Sequence, residues 1–481
     1  MNRSLSSSRF EKVPFERPAR PPARRCAAAF TAAGLALAVL LLATPAAPAQ
    51  SPIRSWAEWV VARSQWKGPT VAYPELRERP RPAPLRLDSD LQPLSVQAAA
   101  GIRPETAQAA LDALEQAREL LLETGWAEPF PDGGRGRTAG FDLYLDPQSE
   151  RPAAAFADVP VSWSELDGVS SFAVMNPHLV HPGQLEACVV DAYAQAVALG
   201  QDPAEAASWR RATGAYTAWL VTGLFGCSDA VAEQQQQSWR GWITGAPDSG
   251  SGGALFLAIL SEREDGNTGT FVRELWQFAR QSSRNVPGPD LRASPDLWEA
   301  LTRALENAGE SLDEIVLEMA VARYFAGAEP RRRAGIYLAP RTLRSNAEVP
   351  VPLTLSLDRL PARLPVSDPP LQPHGSAYYL VDTSTAAAPL TLKVWLSGEI
   401  GARWSLAAVR LSHQEREQGR TAVTVPNGAS GFLAAELGPG IDRVLLVVTH
   451  LPVEKIDADG DTYSARAFQL IVDREQYASE N

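Results

Sequence analysis

Histidine and cysteine are scarce in this chain of 481 residues, with five of the first and three of the second. With so few strong ligands, few metal sites can be built. A basic surplus is missing too: 45 Lys and Arg face 56 Asp and Glu, for a formal net charge of −11. Nucleic-acid binders need a basic footprint to displace counterions, so no nucleic-acid partner is expected. Past the N-terminal segment no stretch is long and apolar enough to span a membrane, and no internal repeat is found. What is present, 45% hydrophobic and 8% aromatic residues, is an ordinary globular composition, neither disordered nor collagen-like. At roughly 100–200 residues per domain, two or three domains are expected.

The N-terminus carries Arg3, Arg9, Lys12, Arg17, Arg20, Arg24 and Arg25, then the apolar run Cys26 to Ala43, then Ala47-Pro48-Ala49. A basic stretch, an apolar stretch and a small-residue cleavage position make residues 1–49 a secretory signal. The alternative is an uncleaved anchor, since the run approaches spanning length. Cys26 precedes the run, which argues against a lipoprotein acceptor. Export to the periplasm or beyond is expected. In an oxidising compartment the remaining pair, Cys188 and Cys227, reads as a disulfide, with two buried thiols as the alternative.

Residues 50–98 contain Trp56, Trp59, Trp66 and the run Pro80-Arg81-Pro82-Ala83-Pro84, the composition of an extended linker or a strap laid over the main domain. Residues 99–330 are expected to form an α+β domain, a small sheet followed by helices. Leu111, Leu114 and Leu121 fall at helical spacing, with Gly125 as a stop. Phe141 to Leu145 and Ser171 to Met175 read as strands. Helices are expected over about 185–199, 203–222, 253–264 and 268–282. Ser294-Pro295 reads as a helix start and Ser311-x-x-Glu314 as a capping box. Gln234 to Gln237 reads as a polar loop. After Arg331-Arg332-Arg333 the period changes to two, and 345–481 reads as an all-β sandwich of seven or eight strands.

The helix over 185–199 contains Asp191-Ala192-Tyr193-Ala194-Gln195, with a strand before it, a helix after it and Cys188 in its first turns. Further motifs are Pro131-Asp132-Gly133-Gly134-Arg135-Gly136 ahead of the Phe141 strand, and Trp209-Arg210-Arg211-Ala212-Thr213-Gly214-Ala215-Tyr216. Gly253 to Leu257 and Thr268 to Arg273 extend the set. With these motifs, residues 130–330 resemble a family of exported bacterial metalloproteases with a gluzincin-like, HExxH-type zincin domain and a C-terminal β domain. In such enzymes two histidines at i and i+4 of one helix bind zinc, and a glutamate between them is the general base. A carboxylate on the next helix completes the set.

The resemblance implies a first ligand at Asp191, the base at Ala192, the second ligand at Gln195 and a carboxylate within 211–215, where Arg211, Ala212, Thr213, Gly214 and Ala215 stand instead. Alanine cannot take a proton, neutral Gln is a poor zinc ligand, and Arg211 repels a cation. The implied reading is a zincin-like scaffold without catalytic residues, with the family's zinc lost and a polypeptide ligand bound but not cut. An ordinary helix with Asp191 and Gln195 as its polar face is the alternative.

Weaker motifs are His178-x-x-His181, which could hold a metal or be two loop residues, and Asp248 to Gly253, a faint serine-protease echo without a histidine partner. Asp457-Ala458-Asp459-Gly460-Asp461 starts like a calcium loop but lacks EF-hand spacing. The thirteen tryptophans could include a sugar-stacking platform, though packing is the plainer use. The competing functional expectations are an active zinc enzyme with non-standard ligands such as Asp191 with His178 or His181, and a surface adhesion or scaffold protein.

Overall fold

A computed structural model describes residues 70–71, 74–137, 140–161, 166–227, 229–243, 250–280, 291–326, 347–386, 390–456 and 464–476. The expected signal segment, Trp56, Trp59 and Trp66, Asp248 and Ser249, the arginines at 331–333 and the loop at 457–461 lie outside these residues.

The first half is built on a five-stranded sheet. Its strands are β2 (Leu85–Asp88), β3 (Leu94–Ala98), β4 (Phe141–Leu145), β5 (Ala153–Pro160) and β6 (Val169–Met175), β1 (Thr70–Val71) lying outside it. Their order is β2-β3-β4-β6-β5, with β3, β4 and β6 parallel and β5 an antiparallel edge strand. Helix α1 (Pro104–Glu123) makes the crossover from β3 to β4, as a parallel pair requires. Its buried residues Ala107, Ala110, Leu111, Leu114, Ala117 and Leu121 form one stripe. It ends as expected at Gly125, whose N–H bonds Leu122 while that of Trp126 bonds Leu121, the pattern of a left-handed glycine stop.

Phe141, Leu143 and Leu145 join the core that α1 and α2 (Leu185–Gln201) complete. The alternate residues Asp142 and Tyr144 turn to the opposite face. Strands β2 and β3 fall inside the segment 50–98 that the sequence reads as a linker. Every residue of β3 is buried, because it is paired on both sides and packed by α1. Just before β2 the chain runs beside β5, with Arg77 N–H bonding the Ala157 carbonyl at 3.0 Å; we refer to residues 74–84 as the strap.

Helices α3 (Ala207–Thr222), α4 (Ala230–Gln236), α5 (Ala254–Asp265), α6 (Thr270–Ala279), α7 (Leu297–Ala308) and α8 (Leu312–Tyr324) follow. Two local expectations are corrected. The glutamine run belongs to α4, where Gln235 is buried and exchanges hydrogen bonds with the equally buried Arg323 (Nε to Oε1 2.5 Å, Nε2 to the carbonyl 3.2 Å). A charge with no water needs such partners. Helix α7 starts after Ser294-Pro295, capped by Asp296, which accepts from the Glu299 N–H while Glu299 bonds back. Asp296 stands at the cap position itself, while the Ser294 hydroxyl, two residues upstream, donates to the Glu299 carboxylate instead. Of the capping box expected at α8, the Ser311 half is present, its hydroxyl accepting from Glu314 N–H at 3.2 Å.

The second half has two facing sheets. One is ordered β13 (Glu417–Val425), β12 (Ala402–Leu411), β15 (Arg443–Pro452), β10 (Ser376–Asp382), β8 (Thr354–Ser356). The other is ordered β14 (Ser430–Leu437), β11 (Leu390–Gly398), β16 (Phe468–Gln476), β9 (Ala362–Arg363). The remaining strand, β7 (Leu291–Arg292), pairs with β1. Leu392, Val394, Trp404, Leu406, Val448 and Leu470 fill the space between the sheets. The two halves are not separate bodies: Trp56–Asn481 is one compact unit. Ala320, Val321 and Tyr324 of α8 pack on Tyr378, Leu445 and Val447 of the sandwich, so β12 and β15 are buried on both faces. No helix among the described residues is long and apolar enough to cross a membrane.

Candidate functional site

Helix α2 is buried on all sides from Ala187 to Gln201, as suits a run rich in alanine and valine with hardly a polar face. Of its buried polar residues, Asp191 and Gln195 lie one turn apart on the face toward α3. They bond each other, Gln195 Nε2 donating to Asp191 Oδ1 at 2.8 Å. Gly214 of α3 backs onto them. A methyl group there would stand 2.7 Å from the Asp191 carbonyl oxygen and 2.8 Å from Gln195 Cγ, so only glycine lets the helices approach this closely. Gly226, in the turn after α3, leaves the room for Asp191 Oδ2 in the same way.

The disulfide forms between Cys188 and Cys227, with a Cα separation of 4.6 Å. Cys188 is three residues before Asp191 and shares its face. The bridge therefore brings the Cys227 backbone N–H to the Asp191 carboxylate.

These residues do not fit a zinc centre. Asp191 and Gln195 spend their polar atoms on each other, and Ala192 at the position of the base is buried. Of the stretch where a third ligand is expected, Thr213 accepts from Trp276 Nε1 at 2.9 Å and Gly214 is closed by Asp191. Arg211 adds a positive field at the carboxylate. His178 and His181 are exposed in the loop before α2, and the His178 backbone N–H bonds Asn176 Oδ1. Among the described residues no three His, Cys, Asp or Glu side chains gather as a metal-ligand group.

Burial pushes the Asp191 carboxyl up to about 7, against the hydrogen bonds from Gln195 and Cys227 and the field of Arg211. In the window between the unfolded value, 3.8, and the folded one, the folded chain keeps a proton that the unfolded chain has released. Stability from this group is therefore highest below about pH 4 and falls as pH rises toward 7. Asp191→Asn should flatten that slope and stabilise the protein by about 1–2 kcal/mol at pH 8. Urea unfolding of both chains across pH 4–8 measures it, and an unchanged slope would refute it.

Two further features escaped the sequence reading. A cavity of about 400 Å³ lies between α7, the start of α8 and the sandwich, lined by Trp298, Leu312, His374, Arg403, Val453 and Lys455 among others. Arg403 Nη2 bonds Asp313 at 3.0 Å, and Lys455 bonds Asp296 and Glu299 at 2.9 and 2.8 Å. The rings of Trp298 and His374 meet edge to face at 4.8 Å. Burial, then the fields of His450 and Arg403, pushes His374 down to about 3, so it is neutral at physiological pH. The only sequence signal there is the turn-like Pro373-His374-Gly375.

The second feature is on the sheet face away from α1 and α2. Three aspartates, Asp132, Asp142 and Asp158, close around the guanidinium of Arg79 from the strap. Burial works against the charge of Arg79. Hydrogen bonds with Tyr144 and Asp158 and the fields of Asp158 and Asp132 outweigh it and hold the guanidinium above its usual value.

No protein-family model matches the chain, and no curated protein matches it. Among solved structures it is similar to the enzymatically active domain of tailspike protein 4 of bacteriophage CBA120, at 10% identity and a TM-score of 0.16, over 21% of this chain and 13% of that one. A likeness of that extent carries no argument about function.

Proposed function

We propose that this is an exported, non-catalytic polypeptide-binding protein, a metalloprotease-like frame whose catalytic centre has been lost. The observation that carries the reading is the junction of α2 and α3, where Asp191, Gln195, Gly214 and Gly226 fill one another's space and Ala192 replaces the base. What remains for binding is the sheet edge. Strand β5 is the last strand in the sheet order, and an extended chain can add at its outer side through its backbone. The chain's own residues Leu76 and Arg77 already do so at Ala157, the Arg77 N–H donating to the Ala157 carbonyl at 3.0 Å.

The reading is tested with a permanently unfolded polypeptide such as carboxymethylated lactalbumin. The expected result is binding without cleavage, and no stoichiometric zinc after zinc exposure and desalting. Stoichiometric zinc together with cleavage would overturn it and return attention to His178 and His181. A second reading, an adhesive sandwich, is favoured by one feature. Phe432, Trp395 and Ile471 form an exposed row across neighbouring strands of the four-stranded sheet, with the two aromatic rings 5.2 Å apart. Binding abolished by Trp395→Ala with Phe432→Ala would shift the function to that face.

A further inference from the structure

We propose that the β5 edge and the three-aspartate pocket beside it form a recognition groove for an extended polypeptide bearing an Arg-x-Arg pair, and that residues 76–79 are a built-in occupant which such a partner displaces. This rests on the polypeptide-binding reading above and specifies its ligand.

The strap shows how the groove is read. Its backbone pairs with β5 at Leu76 and Arg77. Arg77 and Arg79, two residues apart and so on one side of an extended chain, lie over the rings of Phe156 and Phe172, at 4.3 and 5.2 Å. Arg79 then places each of its three nitrogens on a different carboxylate. Nε meets Asp158 at 2.8 Å, Nη2 meets Asp132 at 2.7 Å and Nη1 meets Asp142. A planar guanidinium can serve three acceptors at once, whereas a lysine ammonium is a single point charge on a flexible stem.

The pocket is organised behind the occupant. Asp132 is held by the N–H groups of Gly134 and Gly136 at 2.7 and 3.0 Å, and Asp142 by Ser95 and Gln97. Three carboxylates exceed the charge of one arginine. Arg135, which is half exposed, reaches Asp158 alone among the described residues, at 3.3 Å. Asp158 Oδ1 is buried with no hydrogen-bond partner, so the pocket has an acceptor to spare. The occupant is thinly held: residues 75–78 are exposed, Leu76 at 46%. Its firm point is Arg79, whose ion pairs an incoming arginine restores, so exchange of one arginine for another replaces a costly opening of the empty pocket. Charge complementarity commits the groove to a basic ligand, and backbone pairing commits it to an extended one.

The experiment uses the full chain with a specific protease site placed in the exposed segment at Arg81 and Pro82. After cutting, a fluorescent peptide of residues 70–84 is added and anisotropy is followed. This length keeps the residues Thr70 and Val71, which pair with β7. The expected result is saturable binding, at least tenfold weaker when Arg79 of the peptide is replaced by lysine and undetectable when Arg77 and Arg79 are both glutamine. Equal binding of the arginine and lysine peptides overturns the proposal while leaving general polypeptide binding intact. No exchange at all also overturns it, because the strap is then a permanent part of the fold. If unfolded lactalbumin fails to bind as well, the parent reading falls with it. An uncut Arg79→Met chain, in which the pocket is vacated without a break, must gain binding of the same peptide.

Discussion

Arg79→Met is expected to lower folding stability by about 3–5 kcal/mol at neutral pH, the cost of leaving buried carboxylates without their partner. The side chains of Asp132, Asp142 and Asp158 are each 1% exposed or less, so water cannot take over from the guanidinium. The attraction that the arginine supplies is not simply lost. It is replaced by repulsion among three like charges in a poorly screened place. Burial holds the Asp142 carboxyl above the ordinary carboxylate range even with Arg79 opposing it. Losing the guanidinium should raise it further, so the gap between variant and parent should be smaller at pH 5 than at pH 8. Adding Asp142→Asn and Asp158→Asn to Arg79→Met should recover much of the loss, because an emptied charge site needs neutral neighbours, whereas both Asp132 oxygens must stay acceptors for Gly134 and Gly136. Urea denaturation at pH 5 and pH 8 measures all three chains. A loss of the same size at both pH values would mean that packing of the arginine stem, not its charge, is what the fold depends on.

Removing the disulfide by Cys188→Ala with Cys227→Ala is expected to cost roughly 4 kcal/mol in the chain-entropy account. The bridge spans a sequence separation of 39, which includes most of α2, all of α3 and the turn at Gly226. In the unfolded chain that loop is a constraint, so its removal frees the unfolded state more than it alters the folded one. A local effect adds to this. Cys227 delivers a backbone N–H to Asp191, and a loosened turn would deprive the carboxylate of that donor. The reduced parent should therefore behave like the double variant. Coincident urea midpoints for oxidised and reduced protein would sink this expectation.

The sandwich was legible because its strands alternate. Along β14 every second residue is buried, and the sequence carries that period openly. Strand β10, Ser376–Asp382, was missed: it is covered on both faces, so its tyrosines and aliphatics run together without alternation. Strand β5 was missed because its alanines carry little strand signal. In the α2–α3 junction, Asp191 and Gln195 were visible from helical spacing, since i and i+4 always share a face. Gly214 and Gly226 were not, because a glycine that admits a neighbour looks like any other until the neighbour is in place. The aspartate pocket was the least legible feature. Arg79 and Asp158 are separated by 79 residues, and only the strand order brings them together.

That separation also orders events during folding. Arg79 enters its pocket only when the loop at Asp132, strand β4 and the edge strand β5, with β6 between the two strands, are in place, and all of these come later in the chain. Closing so long a loop is slow compared with forming a helix or a hairpin. The segment that is made first is thus the one that settles last. Until it settles, a nascent molecule exposes an acidic groove and an unpaired strand edge, and a neighbouring copy carries the same arginine pair within reach. Exchange of straps between two copies during assembly would give a paired species whose abundance depends on protein concentration at the moment of folding, and not on the concentration at which the finished protein is later held.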